Sequence, residues 1–348
     1  MYDSNGDSPK RKLRLAIIGC GAIAEMGHLP AAALVPGVEV TVLIDSNLAR
    51  AQKLATQFKV PLVLPDMARL KGEADAAIIC LPHHLHCEVG CTLAGQGIHL
   101  LIEKPMGLST VECDQMIAAA RKGGVVLAVG LMRRFFRCSL YLKQILASGI
   151  LGAVERFRIE DGGVYAWPSA SPFILSKAHS GGGVLMGNGS HVMDSLIWWF
   201  GEPAEIQCRT NADGGMETDA LVEMVMADGA RGVVELSRTR SLANRIQVWA
   251  ERGTVEIPLY GDKVSLSLRG GDFVLSGRAN TASLISAGEQ DLVSVLADQL
   301  RAWAGAIHGQ STAIVTGEES RRSIALIETC YQLAKPLPEP WATPIILA

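Results

Sequence analysis

A glycine-rich stretch near the amino terminus reads Gly19-Cys20-Gly21-Ala22-Ile23-Ala24, which fits the pattern G-x-G-x-x-A. It directly follows the apolar run of residues 13–18, so it lies where a strand is expected to pass into a helix. The first glycine permits a tight turn, the second lets backbone N–H groups approach a pyrophosphate, and the small third residue allows close helix–strand packing. The pattern therefore favours a dinucleotide-binding loop over a purely structural glycine turn. Four of its residues are predicted to contact the cofactor: Gly19, Gly21, Ala22 and Ile23.

An acidic residue follows the second apolar run of the chain. Residues 38–44 predict a strand, and Asp45 comes directly after it, 24 residues beyond Gly21. A carboxylate at this strand end accepts hydrogen bonds from an adenosine ribose and repels the 2′-phosphate of NADP. The sequence therefore predicts NAD, with NADP the less favoured cofactor. A charge at a helix N-terminus is the alternative role for Asp45.

Strands and helices alternate through the first third of the chain. Apolar runs at residues 74–81, 98–102 and 125–129 are separated by helical stretches of ten or more residues, as parallel βαβ units require. After about residue 134, strand-like runs follow one another through short polar turns, which is typical of an antiparallel sheet. The expected fold class is α/β: a doubly wound parallel-sheet domain, then an α+β domain with a large, mostly antiparallel sheet.

Two domains are expected from this change of pattern. A chain of 348 residues exceeds the roughly 250–300 residues that one hydrophobic core serves. We expect a dinucleotide-binding domain over residues 10–134 and a substrate-binding and oligomerisation domain over residues 135–348. Residues 287–308 and 317–334 predict two closing helices, and the last one is a candidate to pack back on the first domain.

Composition and charge narrow the class of partner. Lysine and arginine total 32 against 35 acidic residues, so no basic excess points to nucleic acid as a partner. No apolar run approaches the roughly 18–20 residues of a membrane span, so no membrane partner is expected. The amino terminus lacks the apolar region of a signal peptide, and the eight cysteines form no C-x-x-C pair. A cytoplasmic protein with reduced, mostly buried thiols is therefore expected.

A lysine stands at the end of another predicted strand. Glu103-Lys104-Pro105 directly follows the apolar run of residues 98–102. Parallel sheets bind ligands at the carboxyl ends of their strands, so Lys104 is predicted to point into the cleft beside the nicotinamide. An ammonium group there polarises a carbonyl or holds an alkoxide during hydride transfer. A solvated loop lysine is the equally weighted alternative.

Taken together, these motifs resemble the Gfo/Idh/MocA family of nicotinamide-dependent oxidoreductases. The resemblance covers almost the whole chain in the family's order: residues 19–24, Asp45, Leu81-Pro82 with His86, and residues 103–105, 133–135, 181–185, 189–194 and 316–320. It implies an N-terminal Rossmann domain and a C-terminal open-faced sheet that often builds dimers or tetramers. It also implies sugars, cyclitols or their derivatives as substrates. We therefore expect a homodimer or homotetramer with a small polyol or sugar substrate.

The resemblance also implies roles for individual residues. Lys104 matches the catalytic lysine of the family, and His191 matches a histidine that often serves as acid and base on the reacting hydroxyl. An ordinary histidine pKa of about 6.5 suits proton exchange at neutral pH. A satisfied structural histidine is the alternative for His191. Three further residues are expected beside the cofactor: Pro82, His86 and Glu103.

One position departs from the family pattern. The family commonly carries an aspartate four residues before the histidine, and this chain has Gly187 there. Asn188 forms hydrogen bonds but exchanges no proton, whereas Asp194, three residues after His191, is a candidate to orient the ring or to pair structurally. Either Lys104 or His191 alone then suffices for catalysis, or the chain has lost ordinary turnover.

Several other side chains are candidates for the substrate site. Arg133 and Arg134 stand where the first domain passes into the second, and either is able to bind a hydroxyl, carboxylate or phosphate. Tyr165 and Trp167 are candidates for a sugar-stacking wall, with simple packing as the alternative. The tentative substrate residues are thus Arg134, Tyr165, Trp167 and Asp194.

A run of histidines and cysteines raises the question of a metal. His83, Cys87 and Cys91 are spaced as an i, i+4 row of a helix, and such ligands suit zinc. The cysteines fall on a predicted buried helix face, however, so no metal is expected.

The sequence is compatible with three functions. The first is an NAD-dependent oxidoreductase that acts on a sugar, cyclitol or related polyol, with Lys104 stabilising the oxygen and His191 moving the proton. The second is a degenerate NAD-binding regulator or scaffold of the same fold, which the glycine at position 187 motivates. The third is NAD-dependent glycoside cleavage by transient oxidation.

Overall fold

The computed structural model describes residues 11–212, 216–276, 290–310 and 313–337. Residues 10 and 338–348, which belong to the predicted domains, lie outside the described residues. The same holds for residues 287–289, with which the first closing helix is predicted to begin.

The first third of the chain folds around a six-stranded, all-parallel sheet with strand order β3-β2-β1-β4-β5-β6. Its strands are β1 Leu13–Ile18, β2 Val38–Ile44, β3 Leu62–Leu64, β4 Ala76–Ile79, β5 His99–Ile102 and β6 Leu127–Val129. Side chains that alternate along β1 and β4 enter two separate apolar clusters, one on each face of the sheet. Because both faces are covered, these strands are near-continuous apolar runs, and every residue of β4 is buried.

Helices connect the parallel strands, as such a sheet requires. The α-helices of this part are α1 Leu29–Ala33, α2 Leu48–Phe58, α3 His86–Gly95 and α4 Thr110–Gly123. A π-helical turn over Ala24–His28 precedes α1, and short 3₁₀ turns lie at Met67–Arg69, His83–Leu85 and Met132–Phe135.

The remaining strands form a nine-stranded sheet with order β14-β13-β12-β11-β7-β10-β9-β8-β15. They are β7 Val154–Gly162, β8 Pro203–Thr210, β9 Asp219–Met226, β10 Arg231–Ser237, β11 Arg245–Ala250, β12 Gly253–Pro258, β13 Lys263–Leu268, β14 Gly271–Ser276 and β15 Ala334–Pro336. The sheet is antiparallel except for the pairs β7–β10 and β8–β15. The predicted fold class is therefore confirmed.

The remaining α-helices of the described residues follow in chain order. They are α5 Arg137–Ser148, α6 Lys177–Ser180, α7 Val184–Phe200, α8 Leu292–Ile307 and α9 Gly317–Leu333, with a 3₁₀ turn at Pro172–Leu175. Along β13, the buried Val264 and Leu266 alternate with the exposed Lys263 and Ser265, so one face joins the core and the other faces outward. The outward face carries ion pairs such as Arg158–Glu235, whose Nη2–Oε2 distance is 2.6 Å.

Both closing helices contact the parallel-sheet domain, whereas the sequence proposes only the last one. In α8, Trp303 is fully buried in the same apolar cluster as Leu15 and Ile17 of β1. In α9, the Glu328 carboxylate accepts hydrogen bonds from the backbone N–H and the hydroxyl of Thr110, at 3.0 and 2.9 Å. The domain boundary after residue 134 stays a prediction.

Two further features concern the helices and the cysteines. Among the described helices, none has the length and apolarity to cross a membrane. All eight cysteines are free thiols; six are buried, and Cys87 and Cys91 are half-buried.

Candidate active site

A cavity of about 960 Å³ extends from the glycine-rich loop to helix α7. Gly19, Gly21 and Asp45 line one part of it, and Lys104 and His191 line another. Small-molecule sites occupy about 300–1,000 Å³, so this cavity is at the large end of that range. It therefore suits an extended ligand such as a dinucleotide next to a second, smaller molecule.

The glycine loop has the local geometry that a pyrophosphate requires. Gly19 has φ +94°, and a Cβ there would lie 2.4 Å from the carbonyl oxygen of Cys80, so only glycine fits. A Cβ on Gly21 meets no protein atom within 4 Å, which leaves the backbone open to the cavity. Ala22 and Ile23 also line the cavity. The loop thus fits a dinucleotide phosphate at the start of a helical segment.

Asp45 ties the end of β2 to the glycine loop. One carboxylate oxygen accepts a hydrogen bond from the backbone N–H of Cys20 at 2.7 Å, and the other accepts one from the N–H of Asn47 at 2.7 Å. Arg50 donates to the carbonyl of Cys20 and pairs with Glu25 at 3.1 Å. Asp45 lies in the cavity lining, where its negative charge suits a ribose better than a 2′-phosphate.

Glu103 is held in the cavity wall by a histidine that the sequence analysis does not identify. Its Oε1 lies 2.8 Å from Nε2 of the buried His28, and its Oε2 accepts the backbone N–H of Lys104 at 3.1 Å. Burial raises the pKa of Glu103, but the interactions with His28 and Lys104 together outweigh it and keep that pKa below its ordinary value. A Cβ on Gly130 would lie 3.1 Å from Glu103, so glycine suits that position. Pro82 lines the same cavity.

Lys104 reaches across the cavity to helix α7. Its Nζ donates a hydrogen bond to the carbonyl oxygen of Gly187 at 3.1 Å. Burial lowers the pKa of Lys104 to about 8; Glu103 opposes this shift, and the cations Arg133 and Arg238 add to it. A lysine with such a pKa is able to donate and accept a proton near neutral pH.

His191 lies in α7 and lines the same cavity. It is buried, and its Nδ1 has no hydrogen-bond partner among the residues that the structure describes. Burial, with contributions from the charges of Lys104 and Arg133, lowers the pKa of His191 well below its ordinary value. The ordinary histidine pKa of about 6.5 therefore does not apply to this buried ring, and its role in proton transfer stays a prediction. With this lowered pKa the ring is neutral near neutral pH, and a neutral imidazole has one N–H donor and one acceptor nitrogen.

The structure does not place His86 beside the cofactor site. Its Nδ1 lies 2.8 Å from the carbonyl oxygen of Pro105, and its Nε2 lies 2.9 Å from that of Leu81. The ring is fully buried and outside the cavity lining. His86 thus links the segments after β4 and β5 and supports the cavity wall indirectly.

Arg134 and Asp194 come together, but away from the cavity. Arg134 donates from Nε and Nη2 to the two carboxylate oxygens of Asp194 at 2.8 and 2.7 Å, and from Nη1 to Glu319 at 2.6 Å. Asp194 is 1% exposed, and neither residue lines the cavity. The prediction that they contact substrate is replaced by a structural role, because their polar groups satisfy one another.

The neighbouring Arg133 does line the cavity. Its Nη2 donates to Asp161 at 2.7 Å and to the Tyr260 hydroxyl at 2.6 Å. Asp161 and Tyr260, which also line the cavity, come from β7 and from the segment after β12. Sequence analysis missed both, because nothing near them in the chain indicates that these strands end at the cavity.

Tyr165 and Trp167 lie in the segment that follows β7 and line the cavity. They are 39% and 40% exposed, so their rings are available for contact with a ligand. The Tyr165 ring centroid lies 5.3 Å from Cζ of Arg238, within the range of a cation–π interaction.

Arg238, which the sequence analysis does not single out, occupies the space beside Gly187. A Cβ built on Gly187 would lie only 1.8 Å from Nη2 of Arg238 and 3.0 Å from its Cζ. The guanidinium therefore stands where the side chain of the expected aspartate would be. In the sequence, only the glycine at position 187 indicated that the space beside α7 is unusual. It did not indicate that Arg238 fills that space.

The histidine and cysteine run has no metal geometry within the described part of the chain, since no three His, Cys, Asp or Glu residues there could hold an ion. His83 instead lies with Nδ1 2.9 Å from the Ser180 carbonyl, and the Cys87 thiol donates to Gln115 at 3.2 Å.

Two family models match the chain. The model of the oxidoreductase family Gfo/Idh/MocA, described as an NAD-binding Rossmann fold, matches residues 13–131, and the model of the Gfo/Idh/MocA C-terminal domain matches residues 139–256. The two matches together cover more than half of the chain.

Several individual relatives are named as sugar or cyclitol dehydrogenases. The chain is 29% identical over 202 residues to D-glucoside 3-dehydrogenase of Escherichia coli, a match that spans 55% of each chain. It is 25% identical to myo-inositol 2-dehydrogenase of Thermotoga maritima over 70% of this chain and 74% of that protein. The solved structure of aldose-aldose oxidoreductase from Caulobacter crescentus superposes with a TM-score of 0.81 at 23% identity and covers 93% of this chain and 97% of that one. The chain thus spans about half the length of the first of these relatives.

Proposed function

Since the chain belongs to the Gfo/Idh/MocA family of oxidoreductases, whose first domain is an NAD-binding Rossmann fold, we propose that it is an NAD-dependent dehydrogenase or reductase. Its substrate is a sugar, cyclitol or related polyol. The names of its relatives support this substrate class, and polar side chains in the cavity lining, such as Lys104, Asn188 and His191, suit it.

The position of Lys104 carries this proposal. Its ammonium group lies in the same cavity as the glycine loop and is held by the Gly187 carbonyl at 3.1 Å. Burial and neighbouring cations hold its pKa at about 8, close to the value that acid–base work near neutral pH requires. A solvated surface lysine has neither property.

The chain's own groups then take these roles. The backbone N–H of Gly21 binds the pyrophosphate at the start of the helical segment, and Asp45 binds the ribose. Gly19 supplies the tight turn, because its own N–H already donates to the Ile44 carbonyl at 2.8 Å. Ala22, Ile23, Pro82 and Glu103 line the remaining cofactor space. Bound NAD supplies the hydride acceptor. In its neutral form Lys104 accepts a hydrogen bond from the substrate hydroxyl and takes its proton, and the N–H of the neutral His191 donates a hydrogen bond to the same oxygen.

Thermal melting tests the cofactor part of this proposal. NADH at about one hundred times its dissociation constant is expected to stabilise the fold by about 2.7 kcal/mol. NADPH at the same concentration is expected to stabilise it less, because Asp45 repels the 2′-phosphate. Asp45→Ala is expected to remove this preference. Equal stabilisation by the two cofactors in the unmodified protein would contradict the assignment of Asp45.

We also propose that the protein is a homodimer or homotetramer in the cytoplasm. The outward face of the nine-stranded sheet supports association, because it carries Trp249 and a ladder of ion pairs such as Arg245–Glu256 at 3.1 Å. Eight free cysteines suit a reducing compartment. Light scattering at micromolar concentration is expected to give a multiple of 37.1 kDa, and a monomer would count against the proposed assembly.

A further inference from the structure

Two cationic groups converge on the backbone of one residue in helix α7. Lys104 donates to the carbonyl of Gly187 at 3.1 Å, and the guanidinium of Arg238 fills the place that a side chain at Gly187 would occupy. Arg238 directly follows strand β10, so the two cations come from different domains and meet at the α7 wall of the cavity. Any residue larger than glycine at position 187 would displace the guanidinium.

No carboxylate of the described residues lies within ion-pair distance of the Arg238 guanidinium. In the described residues its side chain makes no ion pair, and its buried Nε has no hydrogen-bond partner. The Tyr165 ring, 5.3 Å from Cζ, covers one side of the group. By contrast, Arg133, which also lines the cavity, pairs with Asp161 at 2.7 Å. A guanidinium that lines a cavity without a carboxylate of its own is suited to take one from a ligand.

The carboxylates near this point leave two of its cations without an ion pair. Lys104, Arg133 and Arg238 line the cavity here, and Asp161 pairs with Arg133. Glu103 is engaged with His28 at 2.8 Å, and Glu217 accepts the backbone N–H groups at the start of α7, so both act on the cations only from a distance. Among the described residues, Lys104 and Arg238 are therefore open to direct contact with a carboxylate of the ligand.

We propose that the substrate of this chain is a polyol acid, with a carboxylate on the carbon next to the hydroxyl that is oxidised, or one carbon further away. Arg238 binds the carboxylate through its planar fork, and Lys104 holds the neighbouring hydroxyl oxygen. The short spacing follows because both cations contact the same residue, Gly187. This assignment rests on the proposed function: the carbinol C–H leaves as hydride to NAD, the hydroxyl proton leaves to Lys104, a C=O bond forms, and the carboxylate is unchanged.

A carboxylate fits this place better than a phosphate. Phosphates are commonly bound by several backbone N–H groups at a helix N-terminus. The N-terminus of α7 is already occupied, because Glu217 accepts from the backbone N–H groups of Gly183 and Leu185 at 2.9 and 3.0 Å. A single free arginine fork matches the two oxygens of a carboxylate.

The test compares aldonates with the alditols of the same stereochemistry, such as gluconate with glucitol, and with the corresponding alditol phosphates. A stereochemical panel is assayed for NADH formation with the unmodified protein, Arg238→Met and Arg238→Lys. We expect kcat/KM for the preferred aldonate to exceed that for its alditol, and to fall about 100-fold in Arg238→Met and less in Arg238→Lys. The ratio of kcat/KM for the aldonate to that for its alditol should fall in both variants, because a change in the pKa of Lys104 affects the two substrates alike. Arg240→Met, which removes an arginine paired with Asp219 at 3.1 Å outside the cavity, is the matched control.

A binding measurement separates this inference from the proposed function. Aldonates are expected to raise the melting temperature of the NADH complex in the unmodified protein but not in Arg238→Met, whether or not turnover is seen. Gly187→Asp is expected to abolish this shift, because its carboxylate would pair with Arg238 in place of the ligand's. Turnover of alditols as fast as aldonates, a preference for the phosphates, or an aldonate shift that survives in Arg238→Met would overturn the inference. The first of these results would leave the proposed dehydrogenase intact.

Discussion

Replacement of Lys104 by alanine is expected to lower kcat by about 10²–10⁴-fold, the range that a positioned acid–base group contributes. The ammonium group lies in the cavity with its Nζ 3.1 Å from the Gly187 carbonyl, where it is placed to hold the reacting oxygen. Binding of NADH should persist, because the glycine loop and Asp45 lie elsewhere along the cavity. The melting temperature is not expected to fall, because burial of a lysine charge costs free energy.

The pH dependence of the same reaction provides a second readout of Lys104. Its pKa is about 8 in the folded protein, so the neutral amine that accepts a proton becomes populated as the pH rises through that value. For oxidation, kcat/KM is therefore expected to rise towards a plateau above about pH 8, and for reduction it is expected to fall over the same interval. In Lys104→Ala both changes should disappear.

Lys143→Ala is the matched control for this variant. Lys143 is also a half-buried lysine whose Nζ donates to a backbone carbonyl, that of Trp198, but it does not line the cavity. Its loss should leave kcat within about twofold of the unmodified value, as expected for a residue outside the site. An unchanged rate in Lys104→Ala would show that another group performs the proton transfer.

Replacement of Arg134 by alanine is expected to reduce the free energy of unfolding by about 3–5 kcal/mol, since it leaves a buried carboxylate without its partner. Asp194 is 1% exposed and receives two hydrogen bonds from Arg134 at 2.8 and 2.7 Å. Burial already raises the pKa of Asp194 against the opposing effect of Arg134, so the variant carries a carboxyl that is still harder to ionise. Denaturant unfolding and thermal melting measure the loss.

Arg322→Ala serves as the comparison for stability. Arg322 pairs with Glu202 at 2.7 Å, but the two side chains are 47% and 60% exposed, and exposed pairs contribute only about 0–1 kcal/mol. Among molecules that remain folded, Arg134→Ala should change KM little, because Arg134 lies outside the cavity. A large rise in KM with unchanged stability would return Arg134 to the substrate site that its sequence position indicates.

Local sequence predicts those site residues that directly follow a recognisable apolar strand. The glycine loop and Asp45 follow apolar strands directly, and the ends of parallel strands meet at one edge of the sheet. Lys104 follows β5 in the same way and lies in the same cavity. For such residues, position along the chain determines position in space.

The residues that local sequence misplaces or misses depend on contacts between distant segments. His86 and Arg134 lie in segments that resemble the family, but each binds partners that only the tertiary structure brings close. His86 binds the Leu81 and Pro105 carbonyls, and Arg134 binds Asp194. The shift in the pKa of His191 arises from burial, which residue type does not reveal. Arg238 reaches Gly187 across 51 positions of sequence, so its role follows only from the packing of β10 against α7.

The most direct measurement of the central claim follows the absorbance of reduced nicotinamide when the unmodified protein and Lys104→Ala, both saturated with NAD, receive the same panel of polyols and polyol acids. NADH is expected to accumulate with the unmodified protein and to form at least about 100-fold more slowly with Lys104→Ala. Equal rates in the two proteins would contradict the assigned role of Lys104. Release of an aglycone from glycosides without net NADH formation would contradict simple dehydrogenation and identify glycoside cleavage by transient oxidation.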